Sequence, residues 1–133
     1  MLAATASAAA DVVTIGSSPD TTIYANNVNN SAGGAIVMFS GTDGNASARR
    51  ALVKFDAASS VSAGSRITDV QLKLFLGQVA GNQTAGTATI SLHRLTADGG
   101  EATTGAGTPI PGDGQGFPAL DGDATWPSGT RRT

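Results

Sequence analysis

At 133 residues the chain can enclose one domain core and not two. Ala, Gly, Thr and Ser make up more than half of it and the larger apolar residues number only 30, so any core is thin. Eight Lys and Arg against ten Asp and Glu, with no basic run, exclude the electrostatic footprint of nucleic-acid binding; no stretch nears the roughly 20 apolar residues of a membrane span. The absence of cysteine removes disulfides, thiol nucleophiles and the usual structural zinc sites.

In chain order, residues 1–10 (MLAATASAAA) place Ala8 and Ala10 like a signal-peptidase site, without a charged or long apolar segment before them. The stretch reads equally as an Ala-rich leader and as the tail of a secretion signal, and stands outside the fold either way. From Asp11 onward short apolar-periodic segments alternate with Gly, Asn, Ser and Asp clusters, and none holds helical periodicity over three turns. Weak strands are predicted at 12–15, 22–25 and 36–40. Residues 50–55 (RALVKF) form a further strand, with Ala51, Val53 and Phe55 on one face and Arg50, Leu52 and Lys54 on the other. The clearest alternation is at 66–76 (RITDVQLKLFL), where Val70, Leu72, Leu74 and Leu76 share one face and Asp69, Gln71 and Lys73 the other. Residues 87–95 (TATISLHRL) repeat it, with Ile90 and Leu92 inward and His93 outward.

Turn chemistry separates these segments: Ser18-Pro19-Asp20, Asn29-Asn30 with Gly33-Gly34, Asp43-Gly44-Asn45, Ala63-Gly64 and Gly81-Asn82. The spacing points to an all-β chain built as an antiparallel β-sandwich, with residues 11–95 as its core. After Leu95 the pattern gives way to a Gly-rich stretch, so residues 96–133 are expected to form a long loop followed by a strand beginning near 122–126 (GDATW).

The run RRALVKFD at 49–56 followed by VSAGSRITDVQLKL at 61–74 resembles the DNRLRE-domain family of secreted bacterial proteins. DTTIY at 20–24 with NNSAG at 29–33, ISLHRLTAD at 90–98 and GDATW at 122–126 extend the resemblance in the family's order. It implies a jelly-roll β-sandwich, a non-catalytic extracellular module, and kinship with carbohydrate-binding modules. Two departures stand out. Gly99-Gly100-Glu101 follows Asp98 where the family carries a Trp and an acidic residue, and the family continues for several tens of residues past its TW motif. On that reading the jelly roll is incomplete at its C-terminus, and the edge it leaves open invites self-association.

Sugar binding needs an aromatic face and polar groups that fix hydroxyls. Tyr24 and Trp126, with Phe75 and Phe117, are the candidate surface aromatics, although Trp126 reads as core ahead of platform; Phe39 and Phe55 are assigned to the core. Arg49, Arg50 and Lys54 are candidate grips for an acidic polysaccharide, their other role being a solvated or salt-bridged strand face. Calcium is the candidate cofactor, because oxygen-rich loops suit a hard cation: Asp113, Asp121 and Asp123 cluster near the C-terminus, and Asp20, Asn26 and Asn29 are rival ligands. His93 reads as a surface histidine, and Asp98 with Glu101 as an acid pair that a Gly-rich loop leaves unfixed. The expected function is non-catalytic anchoring or presentation of a larger secreted protein through polysaccharide. A structural spacer or adhesion domain with protein partners and no sugar is the alternative.

Overall fold

The computed structural model describes residues 11–18, 20–77, 79, 89–96, 100, 104–106 and 115–126. Its regular structure is antiparallel strand with one four-residue helical turn, in keeping with an all-β class. Strands β1 (Asp20–Tyr24), β3 (Gly41–Thr42) and β4 (Ala48–Val53) form a three-stranded sheet in the order β1-β4-β3. Strands β2 (Asn30–Ser31) and β5 (Phe117–Pro118) form a second, two-stranded one. Among the described residues no helix is long and apolar enough to cross a membrane.

The β1–β4 ladder sets the positions of the central side chains. Asp20 lies opposite Val53, Ile23 opposite Arg50 and Tyr24 opposite Arg49. Backbone bonds from Ser18 N to Lys54 O and from Ala25 N to Ala48 O, both 3.0 Å, continue the pairing past each end. The sequence favours this strand because Thr22, Ile23 and Tyr24 combine β-branched and aromatic side chains. Residues Thr21 to Tyr24 are all buried, which makes β1 the most buried strand among the described residues.

A buried strand with two threonines must satisfy two hydroxyls. Thr21 Oγ1 shares a 3.0 Å hydrogen bond with Ser31 Oγ and accepts one from Ala32 N, tying β1 to β2. Thr22 Oγ1 accepts from Phe39 N at 2.8 Å. The buried set is therefore small and mixed: Ile23, Tyr24 and Ala32 with Thr21, Thr22, Ser31, Arg49 and Thr104 among the described residues. With so few large side chains available, hydroxyl-mediated cross-links do part of the work that apolar packing does in a fuller core.

The β3–β4 connection is organised by Asp43. Its Oδ1 accepts from Asn45 N at 2.9 Å and Ser47 N at 2.8 Å, while Ala46 takes the left-handed conformation at φ 60°. After β4, Asp56 caps α1 (Ala57–Ser60) by accepting from Ser59 N. Its carboxyl is held below the ordinary range by the Ser59 hydroxyl and the helix-end amides.

Several expectations are corrected. The strand expected at 22–25 begins two residues earlier, and that expected at 50–55 is displaced to Ala48–Val53, because register with β1 decides both boundaries. Phe55 and Phe39, assigned to the core, are 38% and 37% exposed, since each lies outside its ladder. Residues 12–15 and 36–40 form no strand. Residues 66–76, the clearest alternation in the chain, also form none: they run without a backbone hydrogen bond among the described residues, as do 89–95. Alternation records a capacity for one-sided burial; a ladder also needs a neighbour for every N–H and C=O. Residues 87 and 88 and the Gly81-Asn82 turn lie outside the described residues. Finally, the C-terminal part, expected beyond the core, supplies β5, and 122–126, expected to begin a strand, starts in a turn and forms none.

Candidate functional site

Strand alternation sends adjacent arginines of β4 to opposite faces. Arg49 is directed inward and only 7% exposed, and Arg50 outward. An interior guanidinium requires a counter-charge, and Arg49 Nη1 has one in Asp43 Oδ2 at 3.1 Å. Its carbon also lies 5.7 Å from the centroid of the Tyr24 ring, its neighbour across the ladder.

The Tyr24 side chain is wholly enclosed, and its hydroxyl has no hydrogen-bond partner among the described residues. Burial pushes the phenol pKa up, an effect that Thr22 and the charge of Arg49 reduce without cancelling. Tyr24 therefore presents no ring face to a sugar, and Arg49 no free charge. Both serve the interior, which corrects their expected role as surface ligand contacts.

On the other face the Arg50 guanidinium stacks over the Trp126 ring at 4.5 Å. Arg50 is exposed and Trp126 half-buried, so the pair forms a cation-aromatic surface with one edge in the interior and one in water. The segment carrying Trp126 is held by Ala124 N donating to Gly100 O at 2.8 Å and Asp123 N to Leu120 O at 3.1 Å. Asp123 Oδ2 accepts from Leu120 N at 2.8 Å and from the buried Thr104 hydroxyl. Upstream, Asn30 Nδ2 donates to Gln115 O at 2.8 Å and Asn27 Nδ2 to Gln115 Oε1, clamping the approach to β5.

Of the first expected calcium set, Asp121 and Asp123 are among the described residues. Asp123 orders its own turn, Asp121 is exposed in that turn, and Asp113 lies outside the described residues. Among the rivals, Asp20 accepts from Ser17 Oγ at 3.0 Å, Asn29 gives its carbonyl to Ala119 N, and Asn26 is exposed. Among the described residues no three acidic or histidine side chains converge as a metal site. His93 is exposed, as is Phe75; Asp98 and Glu101 lie outside the described residues.

Asp43 was visible in the sequence as turn chemistry, and its pairing with Arg49 was not, because that contact depends on register. The bond from Ser47 N foremost, together with Asn45 N and Arg49, holds its carboxyl below the ordinary carboxylate value of 3.8. A lowered folded-state pKa contributes stability above the ordinary value and loses it as pH falls through the folded one. The β3–β4 turn is thus expected to loosen below pH 3.8, with the Asn45 and Ser47 amides losing protection from hydrogen exchange, and Asp43→Asn to abolish that acid dependence. Equal protection of both amides on the two sides of that pH would contradict the assignment.

Comparison of the sequence with protein-family models, with curated proteins and with solved structures finds no match to the chain.

Proposed function

We propose that the chain is a non-catalytic extracellular module that anchors or presents a larger protein by binding acidic polysaccharide at the Arg50–Trp126 surface. The observation that carries this reading is the exposed guanidinium stacked on a half-buried indole. Such a pair offers a sugar carboxylate a planar two-pronged donor, and offers the C–H face of a pyranose the adjoining ring edge. Support comes from the DNRLRE resemblance of 49–56 and 61–74, with the jelly-roll architecture and secretion it implies, and from a chain rich in Thr, Ser, Asn and Gly.

The test is retention on immobilised polygalacturonate, with cellulose as the neutral comparator. Arg50→Ala and Trp126→Ala are each expected to weaken retention about fivefold or more, the scale of an exposed cation-aromatic contact of roughly 1 kcal/mol. Arg50→Lys should lose most of the difference too, because an ammonium lacks the planar fork. Salt should weaken binding to the acidic matrix. Equal retention of wild type and variants would end the reading.

The second reading, a spacer or adhesion domain with protein partners, is favoured by the inward placement of Tyr24 and Arg49: these two of the residues expected to bind sugar maintain the fold instead. A thermal midpoint that rises with no glycan, acidic or neutral, while a protein partner raises it, would select this reading.

A further inference from the structure

We propose that residues 66–76 pair with the same segment of a second copy of this chain, as antiparallel strands centred on Gln71. The proposal does not rest on the polysaccharide reading. The segment is exposed along its whole length, with Val70 80%, Leu76 72% and Phe75 95% exposed, and no backbone hydrogen bond is made along it among the described residues. Gln71 Nε2 donates to Asp69 Oδ2 at 3.2 Å, so these two side chains, two apart in the sequence, lie together as they would on one strand face. A long, alternating, unpaired apolar segment is a template for strand addition.

The order of side chains selects a second copy as the occupant. With Gln71 opposite Gln71, the two-fold axis sets Asp69 of each chain opposite Lys73 of the other, twice over, and Ile67 opposite Phe75. On the other face it sets Val70 opposite Leu72. Every charge in the central five residues thus meets its opposite, and each central apolar side chain meets another, which is the pattern that stabilises directly opposed cross-strand pairs. Shifting the register by one residue would put Asp69 opposite the apolar Leu72 or Leu74, so the charges specify the alignment as well as the partner. The contact is isologous and closes at two copies.

The experiment is light scattering of the full chain over a wide concentration range. Wild type is expected to approach twice its 13.1 kDa mass. D69K sets lysine opposite lysine at both symmetry-related positions, and K73D sets aspartate opposite aspartate, so each alone should dimerise at least about tenfold more weakly. The double variant D69K/K73D restores both opposite-charge pairs and should dimerise like wild type. An equimolar mixture of the two single variants should form the mixed dimer, a result that two misfolded proteins could not give. A wild-type monomer throughout the range, as pairing of 66–76 with 89–95 of its own chain would give, overturns the proposal. So do association unaltered by the charge changes, failure of the double variant to recover, and open-ended aggregation.

Discussion

Tyr24→Ala is expected to unfold the three-stranded sheet, whereas Tyr24→Phe leaves it standing. The ring is fully enclosed and is the largest buried side chain among the described residues, where Ile23 and Ala32 are its buried apolar companions. Truncating a buried aromatic to alanine costs about 3–5 kcal/mol, against a net stability of about 5–15 kcal/mol even for a complete domain. Among the described residues few other large side chains are buried to take up the loss. The hydroxyl is a different matter, since it is buried without a partner among the described residues. Removing an unsatisfied buried group relieves a desolvation cost, so phenylalanine should match or exceed the wild type. Urea unfolding followed by Trp126 fluorescence measures both variants. A loss under about 1 kcal/mol for the alanine variant would remove Tyr24 from its central place.

The same enclosure makes the fold sensitive to alkali. Burial, partly opposed by Thr22 and Arg49, raises the folded-state pKa of the phenol above its ordinary value of 10.0. A raised pKa contributes stability that is fully present below the ordinary value and lost as pH rises through the folded one. Unfolding in the range above pH 10.0 should therefore coincide with phenolate absorbance. As the chain has a single tyrosine, that signal reports Tyr24 alone. Tyr24→Phe should remove the phenol's share of this alkaline loss, and an unchanged alkaline midpoint in that variant would refute the linkage.

How much of the fold was legible in the sequence depended on locality. The all-β class could be read because alternation and turn residues are local signals, and the strands at β1 and β4 were found to within two residues of their bounds. The inward role of Arg49 could not. A charged residue beside a second arginine reads as surface, and only the register of β4 against β1, with Asp43 in the adjoining β3–β4 turn, makes burial of that charge tolerable. Tyr24 was misread for the same reason, since a lone aromatic in a polar chain resembles a platform until both its faces are covered. The pairing of Arg50 with Trp126 joins residues far apart in the chain, and the pairing of β5 with β2 lay in a stretch whose composition signals loop. In 66–76 the local signal was strong, but the partner a strand requires was not local.

Gly116→Ala is expected to detach β5 from β2, with consequences reaching the Arg50–Trp126 surface. Gly116 sits at φ 68°, where an L side chain is strained, and a Cβ there would meet Tyr24 Cε2 at 2.5 Å and the Ser31 carbonyl oxygen at 2.8 Å. The first contact presses on an enclosed ring and the second on backbone engaged in the β2–β5 pair, where Ser31 faces Phe117, so neither neighbour can yield cheaply. Left-handed strain and overpacking together should cost about 2–4 kcal/mol. Gly116→Asn separates the two causes. Asparagine tolerates positive φ but carries the same Cβ, so a loss equal to that of alanine identifies close approach as the dominant cause. Gly44→Ala is the comparator, because a Cβ there meets nothing within 4 Å; it should stay within about 0.5 kcal/mol of wild type. Because β5 leads directly into the segment that carries Trp126, releasing it should also move the indole from beneath Arg50. The Gly116→Ala variant should then lose retention on acidic polysaccharide at temperatures where the three-stranded sheet is still folded. If stability falls while retention by the folded fraction holds, the indole is positioned independently of β5.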